Sequence, residues 1–166
     1  MIAKSYILAN LKGLEKKFKT APTPKDALYF SKLAILELCG WIEESMDDVV
    51  IRCAKAHLKD AANLKYIEGD VVKRTYAFDY EKFRFMLIRL VGLVNVERIE
   101  SKMDAVLKLK FASTLDALKR ARDSEAHTHI KGVARVINAP SITIAQFQDV
   151  YAGLKEVEKL VKAAKL

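Results

Sequence analysis

Three side chains that can do chemistry lie close together in the last third of the chain, at Arg122, Asp123 and His127. The guanidinium of arginine is a permanent cation, and the imidazole of histidine can take up or release a proton near neutral pH. Asp123 and His127 are four residues apart, so on a helix the carboxylate can meet and orient the imidazole. The segment therefore combines a fixed positive charge, an acid or base and an orienting carboxylate within two helical turns.

Arg122 lies on a helix face that the sequence predicts to be apolar, because Leu115, Leu118 and Arg122 follow an i, i+3, i+7 spacing. Burying an unpaired charge is very costly, so this arginine needs a partner. One interpretation is a buried ion pair with Glu37, from an apolar helix earlier in the chain, which would explain the charge without any catalysis. The other is that Arg122 belongs to a functional site.

The composition predicts one all-α domain. A chain of 166 residues is long enough to bury a sizeable core as a single domain over 1–166, and 51% hydrophobic with 30% charged residues is a globular balance. With only 6 glycines and 3 prolines, the chain has few residues for the many turns of a sheet protein. We therefore expect an up-down helical bundle of about five helices.

The hydrophobic spacing places these helices along the chain. The expected helices cover about residues 2–19, 25 into the fifties and 80–99, followed by one opened by a Ser113/Asp116 capping box and one opened by a Thr143/Gln146 cap. A turn is expected at 68–70 and a loop around Gly132 and 138–140. Residues 102–111 alternate like a strand, but helix or irregular structure is favoured.

Charge and cysteine usage indicate a partner and a compartment. Lysine and arginine total 29 against 21 acidic residues, a net charge of +8 that suits a polyanionic partner such as RNA or DNA, or simply a solvated basic surface.

Cys39 and Cys53 are fourteen residues apart on one expected helix, about 21 Å and too far for a disulfide. Two core cysteines, no leader and no long apolar run predict a cytoplasmic protein without a membrane segment.

Arg122-Asp123, three further residues and then His127 resemble the R-x(4–6)-H motif of HEPN domains. The flanking Leu115-Asp116-Ala117-Leu118 and Ala126-His127 are similar to the RNase-toxin-like branches of that family. The apolar helix with Ala34-Ile35-Leu36-Glu37-Leu38-Cys39-Gly40-Trp41 lies where the family has its second core helix. The resemblance covers about residues 25–162 and implies a single HEPN-like helical domain.

The resemblance also implies a metal-independent endoribonuclease without a cofactor, acting as a toxin or defence effector. His127 would act as base or acid on the ribose, and Arg122 would stabilise the phosphate, leaving a 2′,3′-cyclic phosphate. The implied partners are RNA, a second copy of the chain and an antitoxin or regulatory protein encoded nearby. Toxins silenced by adenylation carry a tyrosine two residues after the histidine, where this chain has His129.

One geometric condition comes with this interpretation. Five residues along an ideal helix place Arg122 and His127 about 140° apart. They can act on one phosphate only if the helix ends between them, or if each works with its counterpart from a second subunit. We expect the second arrangement, a composite site in a homodimer.

Several side chains near the motif have alternative interpretations. His129 and Arg120 are auxiliary candidates for proton transfer and phosphate binding, or ordinary surface residues. A metal site at His127 and His129 is disfavoured, because residues two apart on a helix point in different directions. The alternative function for the whole chain is a non-catalytic HEPN-like module that binds RNA, a nucleotide or a protein partner.

Overall fold

The structure, a computed structural model, describes residues 1–131 and 136–164. These residues form seven α-helices, a π-helical turn and no strand, which confirms the all-α class. The helices are α1 (Ser5–Lys19), α2 (Pro24–His57), α3 (Ala61–Tyr66), α4 (Tyr80–Val91), α5 (Leu93–Lys102), α6 (Ala105–Ala126) and α7 (Pro140–Ala163), and the π-helical turn (Ile67–Val72) follows α3. The predicted loop residue Gly132 lies outside the described residues.

Helix α2 is the central element, and it packs against α1, α6 and α7. It begins with Pro24 at its first position, and the hydroxyl oxygen of Thr23 accepts a hydrogen bond from the backbone N–H of Asp26 at 3.1 Å. Its buried side chains, among them Leu38 and Ile42, belong to a core that all the larger helices share. The apolar circumference predicted for this segment therefore reflects neighbours on several sides.

Helices α6 and α7 close the bundle around the position of the motif. Phe111, Leu115 and Leu118 of α6 are fully buried, as are Phe147, Val150 and Leu154 of α7. Gly153 allows the two helices to approach closely, since a Cβ atom there would lie 2.3 Å from Cγ of Phe111. The apolar stripe predicted for α6 is confirmed as far as Leu118.

Both predicted capping boxes are wrong. Helix α6 begins eight residues before Ser113, because the carboxylate of Asp104 accepts a hydrogen bond from the N–H of Leu107 at 2.8 Å and caps the helix there. Ser113 lies inside α6 and donates to the carbonyl of Lys110. Thr143 is buried within α7, which starts at Pro140. In both places a cap-like pair occurs within a helix that begins upstream.

Two further boundaries differ from the expected ones. The segment expected as a single helix over 80–99 is divided into α4 and α5 by Gly92, whose φ of +81° is open to glycine but strained for other residues. The turn expected at 68–70 is instead part of the π-helical turn. The ambiguous residues 105–111 are helical, as favoured.

Across residues 1–131 and 136–164, no helix is both long enough and apolar enough to cross a bilayer.

Candidate functional site

Arg122 lies near the end of α6, at the edge of the apolar stripe rather than inside it. Its side chain is 24% exposed. Nη1 donates to Oε1 of Glu43 at 2.5 Å, and Nε donates to Oδ1 of Asp123 at 3.2 Å. The guanidinium carbon also lies 5.1 Å from the ring centre of Phe78, within the range of a cation–π contact. The guanidinium is therefore held from three sides and still reaches solvent.

The partner proposed from the sequence, Glu37, is the wrong acidic residue of α2. Glu37 is exposed and accepts a hydrogen bond from Asn10 of α1 at 3.3 Å. Six residues separate Glu37 from Glu43, which places them on different faces of the helix, so they meet different neighbours. The carboxylate of Glu43 is 40% exposed, so its pair with Arg122 lies at the edge of the bundle.

His127 is exposed and directly follows the last residue of α6. Among the described residues it makes neither a hydrogen bond nor an ion pair, so the predicted contact with Asp123 is not made. The Asp123 carboxylate accepts from Arg122 instead. Because α6 continues to Ala126, the helix does not end between Arg122 and His127, and the two side chains leave it in different directions.

The chain after His127 is tied back to the bundle. The Thr128 hydroxyl donates to the carbonyl of Ser124 at 2.7 Å, and Lys32 of α2 donates to the carbonyl of Thr128 at 2.6 Å. Ile130 is buried. These contacts hold the backbone on the C-terminal side of His127, while its imidazole remains open to solvent.

The auxiliary candidates do not join the cluster. Arg120 and His129 are both exposed and make no hydrogen bond or ion pair within the described part of the chain. No group of three or more His, Cys, Asp or Glu side chains in residues 1–131 and 136–164 is arranged to hold a metal ion.

A cavity of about 260 Å³ opens beside Arg122, and we call it the Arg122 cavity. The arginine lines it together with Glu43, Met46, Asp47, Tyr76, Phe78 and Met86. The segment between the π-helical turn and α4 supplies Phe78, which is buried, and Tyr76, which is 81% exposed. Nothing in the sequence predicted this cavity, because residues 73–79 carry no periodic pattern that relates them to α2 or α6.

Asp47 is the carboxylate of the Arg122 cavity that has no partner among the described residues. It makes no hydrogen bond or ion pair with any described residue. Burial, together with the neighbouring charges of Glu43, Asp48 and Glu44, raises its pKa to about 6. The available sequence signal was the run Glu43-Glu44 and Asp47-Asp48 inside an otherwise apolar helix.

The cysteines behave as the sequence predicted, as buried free thiols. Burial raises the pKa of Cys39 to about 12 although Arg122 acts in the opposite direction, so the thiol stays protonated at neutral pH. Its Sγ lies 3.8 Å from the carbonyl oxygen of Leu118. Cys39 is therefore a packing residue and does not act as a nucleophile, although Arg122 lies close enough to influence its pKa.

Replacing Asp47 by asparagine is expected to stabilise the fold at about pH 7.5 by about 1–2 kcal/mol. The raised pKa means that the folded state disfavours the charged carboxylate. This penalty is complete above about pH 6, decreases as the folded state takes up a proton, and is absent below the unfolded pKa of about 4. Urea unfolding of both proteins at about pH 7.5 and pH 4 measures the difference.

The matched control for this prediction is Asp48→Asn, a neighbouring carboxylate that is well exposed and lies 3.8 Å from Arg52. Because the charge of Asp48 is one of those that raise the pKa of Asp47, this change should stabilise the protein at about pH 7.5 by less than Asp47→Asn does, and it should not stabilise the protein at pH 4. A stability gain of Asp47→Asn that persists unchanged at low pH would contradict the assignment of the penalty to the Asp47 charge.

Comparison with known proteins gives no relative for this chain: no protein-family model, no curated protein and no solved structure matches it.

Proposed function

We propose that the chain is a metal-independent endoribonuclease of the HEPN type, with a composite active site formed by Arg122 and His127 of two subunits. The observation that carries the proposal is the contrast between these two side chains on one helix end. Arg122 is fixed in place by Glu43 and Asp123, while His127 is exposed and makes no hydrogen bond or ion pair with any described residue. Cleavage of a phosphodiester by its own ribose requires a fixed cation for the phosphate and an accessible group that transfers protons.

The proposed reaction is transesterification within RNA. His127 of one subunit removes the proton from the ribose 2′-OH, and the 2′-oxygen attacks the adjacent phosphorus. The bond from phosphorus to the 5′-oxygen breaks, and the same imidazole, now protonated, returns the proton to that oxygen. Arg122 donates hydrogen bonds to the phosphate oxygens as negative charge builds up on them. The products are a 2′,3′-cyclic phosphate and a 5′-hydroxyl.

Asp123 has a different role in this proposal from the one the sequence indicated. Its carboxylate lies against Nε of Arg122, so it orients the guanidinium instead of the imidazole. Nη1 donates to Glu43, which leaves further N–H groups of the guanidinium for a phosphate. Asp123 and Glu43 are therefore positioning residues for Arg122.

The requirement for two subunits follows from the helix. With α6 continuous through Ala126, Arg122 and His127 of one chain diverge and cannot hold one phosphate between them. In a twofold dimer the same two surfaces meet their copies, so Arg122 of one chain can face His127 of the other.

The net charge of +8 favours association with the RNA polyanion. On the resemblance alone, we extend the proposal to a cytoplasmic toxin or defence effector restrained by a protein encoded nearby.

A second candidate function is a non-catalytic helical module that binds RNA, a nucleotide or a protein partner. The contacts of Arg122 favour it, because two carboxylates and the Phe78 ring already surround the guanidinium. In such a module the arginine would link α6 to α2 and to the segment before α4. RNA cleavage that is lost when His127 is replaced would support the ribonuclease, and the absence of any RNA cleavage would support the non-catalytic module.

Subunit complementation tests the composite site directly. Arg122→Ala and His127→Ala proteins are each expected to be inactive on RNA in the presence of a chelator. After the two are unfolded together and refolded as a mixture, a heterodimer contains one intact Arg122–His127 pair across its interface. Activity should return to about one quarter of that of the native protein, since about half of the dimers are mixed and each has one working site of two.

The control is a mixture of each variant with itself, carried through the same refolding, which should remain inactive. Recovery of native-like helicity by circular dichroism shows that each variant folds. A mixture that stays inactive although the heterodimer forms, or a native protein that is monomeric at high micromolar concentration, would overturn the composite site.

A further inference from the structure

We infer that the Arg122 cavity is a nucleobase subsite that binds guanine, the base of the nucleotide next to the phosphate held by Arg122. The inference rests on the proposed function and adds to it a substrate preference. Three observations carry it: an exposed aromatic ring, an unpaired carboxylate and an apolar floor, all lining the same cavity as the catalytic arginine.

Tyr76 supplies the stacking surface. A tyrosine ring that is 81% exposed gains little from the protein core, and it lies in the wall of the cavity instead of packing on a neighbouring helix. Aromatic rings in such positions bind nucleobases by stacking, because every base presents a flat π-face. The neighbouring Phe78 ring is buried and occupied by the Arg122 guanidinium, so Tyr76 is the ring available to a base.

Asp47 supplies the hydrogen-bond acceptors. Its carboxylate is partly buried in the cavity, is surrounded by the like charges of Glu43, Glu44 and Asp48, and has no partner among the described residues. Such an arrangement costs stability, and a ligand that offers N–H donors would offset that cost. Asp47 lies one helical turn after Glu43, which anchors Arg122, so acceptor and cation are held by the same stretch of α2.

The remaining walls fit a single base. The side chains of Met46 and Met86 are buried and form an apolar floor. At about 260 Å³, the cavity is smaller than the sites of drug-sized ligands, which begin at about 300 Å³, so it suits one ring system and no more. Since a base and its phosphate are joined through one ribose, a phosphate held by Arg122 places the attached base at this cavity.

The donor pattern of guanine distinguishes it from the other bases. The two oxygens of a carboxylate accept two parallel N–H groups best, and guanine presents N1–H and N2–H side by side on one edge. Adenine and cytosine each offer one amino donor beside an acceptor, and the single N3–H of uracil lies between two acceptors. A carboxylate therefore attracts one donor of those bases and repels a neighbouring lone pair, whereas with guanine both of its oxygens are satisfied.

Calorimetric titration of the whole protein with GMP, AMP, CMP and UMP tests the inference. GMP is expected to bind about tenfold tighter than the other three. Asp47→Asn should reduce this preference to about threefold or less, because an amide offers one acceptor and one donor. Tyr76→Ala should weaken all four nucleotides by about tenfold or more, whereas Tyr76→Phe should retain their affinity.

Two matched controls accompany these variants. Glu44→Gln removes an exposed carboxylate from the same turn of α2, and Tyr29→Ala removes a partly exposed tyrosine about 27 Å away along that helix. Glu44→Gln should leave the preference for GMP over the other three nucleotides unchanged, because the loss of its charge affects all four monophosphates alike, and Tyr29→Ala should leave GMP affinity unchanged. Equal affinity for the four nucleotides, no binding of GMP at millimolar concentration, or a guanine preference that survives Asp47→Asn would overturn the inference.

A failure of the guanine subsite can be distinguished from a failure of the proposed ribonuclease. RNA cleavage that requires His127 without any preference for GMP would leave the ribonuclease standing and remove the guanine subsite. The predicted pattern of GMP binding in a protein that cleaves no RNA would support the subsite in a nucleotide-binding module and remove the ribonuclease.

Discussion

Replacing His127 by alanine is expected to lower the rate of RNA cleavage by about 10²–10⁴-fold, the usual contribution of a general acid–base group. In the composite site both proton transfers depend on this imidazole, so the upper part of the range is expected. The initial rate of cleavage of a labelled RNA, measured in the presence of a chelator, gives the effect. Detection of a 2′,3′-cyclic phosphate on the product identifies the reaction.

The fold should not suffer from this change. His127 is exposed and makes no contact that alanine would remove among the described residues, so the unfolding midpoint should stay within error of the native value. His57→Ala is the matched control, because His57 is also exposed and also ends a helix, here α2. A cleavage rate within about threefold of native for His127→Ala would exclude the imidazole from catalysis.

Gly153→Ala is expected to destabilise the protein by about 1–3 kcal/mol, because it forces an extra carbon into a filled core. The new Cβ would lie 2.3 Å from Cγ and 2.6 Å from Cβ of Phe111, so the ring cannot evade it by rotating its far end. Phe111 is fully buried and meets Tyr80 and Phe83 edge-on, so a shift there is passed on to α4. For a chain of this size, Tm should fall by about 3–10 °C.

The same substitution at Gly40 should have the opposite sign. A Cβ at Gly40 meets nothing within 4 Å, and the residue lies exposed in the interior of α2. Alanine there should stabilise the helix by about 0.5–1 kcal/mol. A double variant Phe111→Leu with Gly153→Ala tests the cause, since the smaller side chain should recover part of the loss. Equal effects of alanine at Gly40 and Gly153 would mean that contact with Phe111 does not set the cost.

The interior of the bundle could be predicted well because the buried face of a helix appears in the sequence as apolar residues at regular spacing. Leu115 and Leu118 are buried as the spacing required, and α2 is apolar over several faces because other helices pack against it on several sides. The starts of α6 and α7 were predicted poorly, whereas α2 and α4 begin within one residue of the expected positions. Ser113 and Thr143 each resemble a cap, but a cap acts only where the preceding residues leave the helix, and Asp104 and Pro140 had already begun α6 and α7.

The amino-acid pattern was enough to predict the helical class of the described residues, the helix that carries Arg122 and is followed by His127, and the presence of a charge that required a partner. Only the tertiary structure decided that the partner is Glu43, that Asp123 contacts the arginine, and that Tyr76 and Asp47 share a cavity with it. The physical reason is the range of the interactions. Burial and helical period act over neighbouring turns, whereas the crossing of α2, α6 and the segment before α4 depends on how whole helices pack.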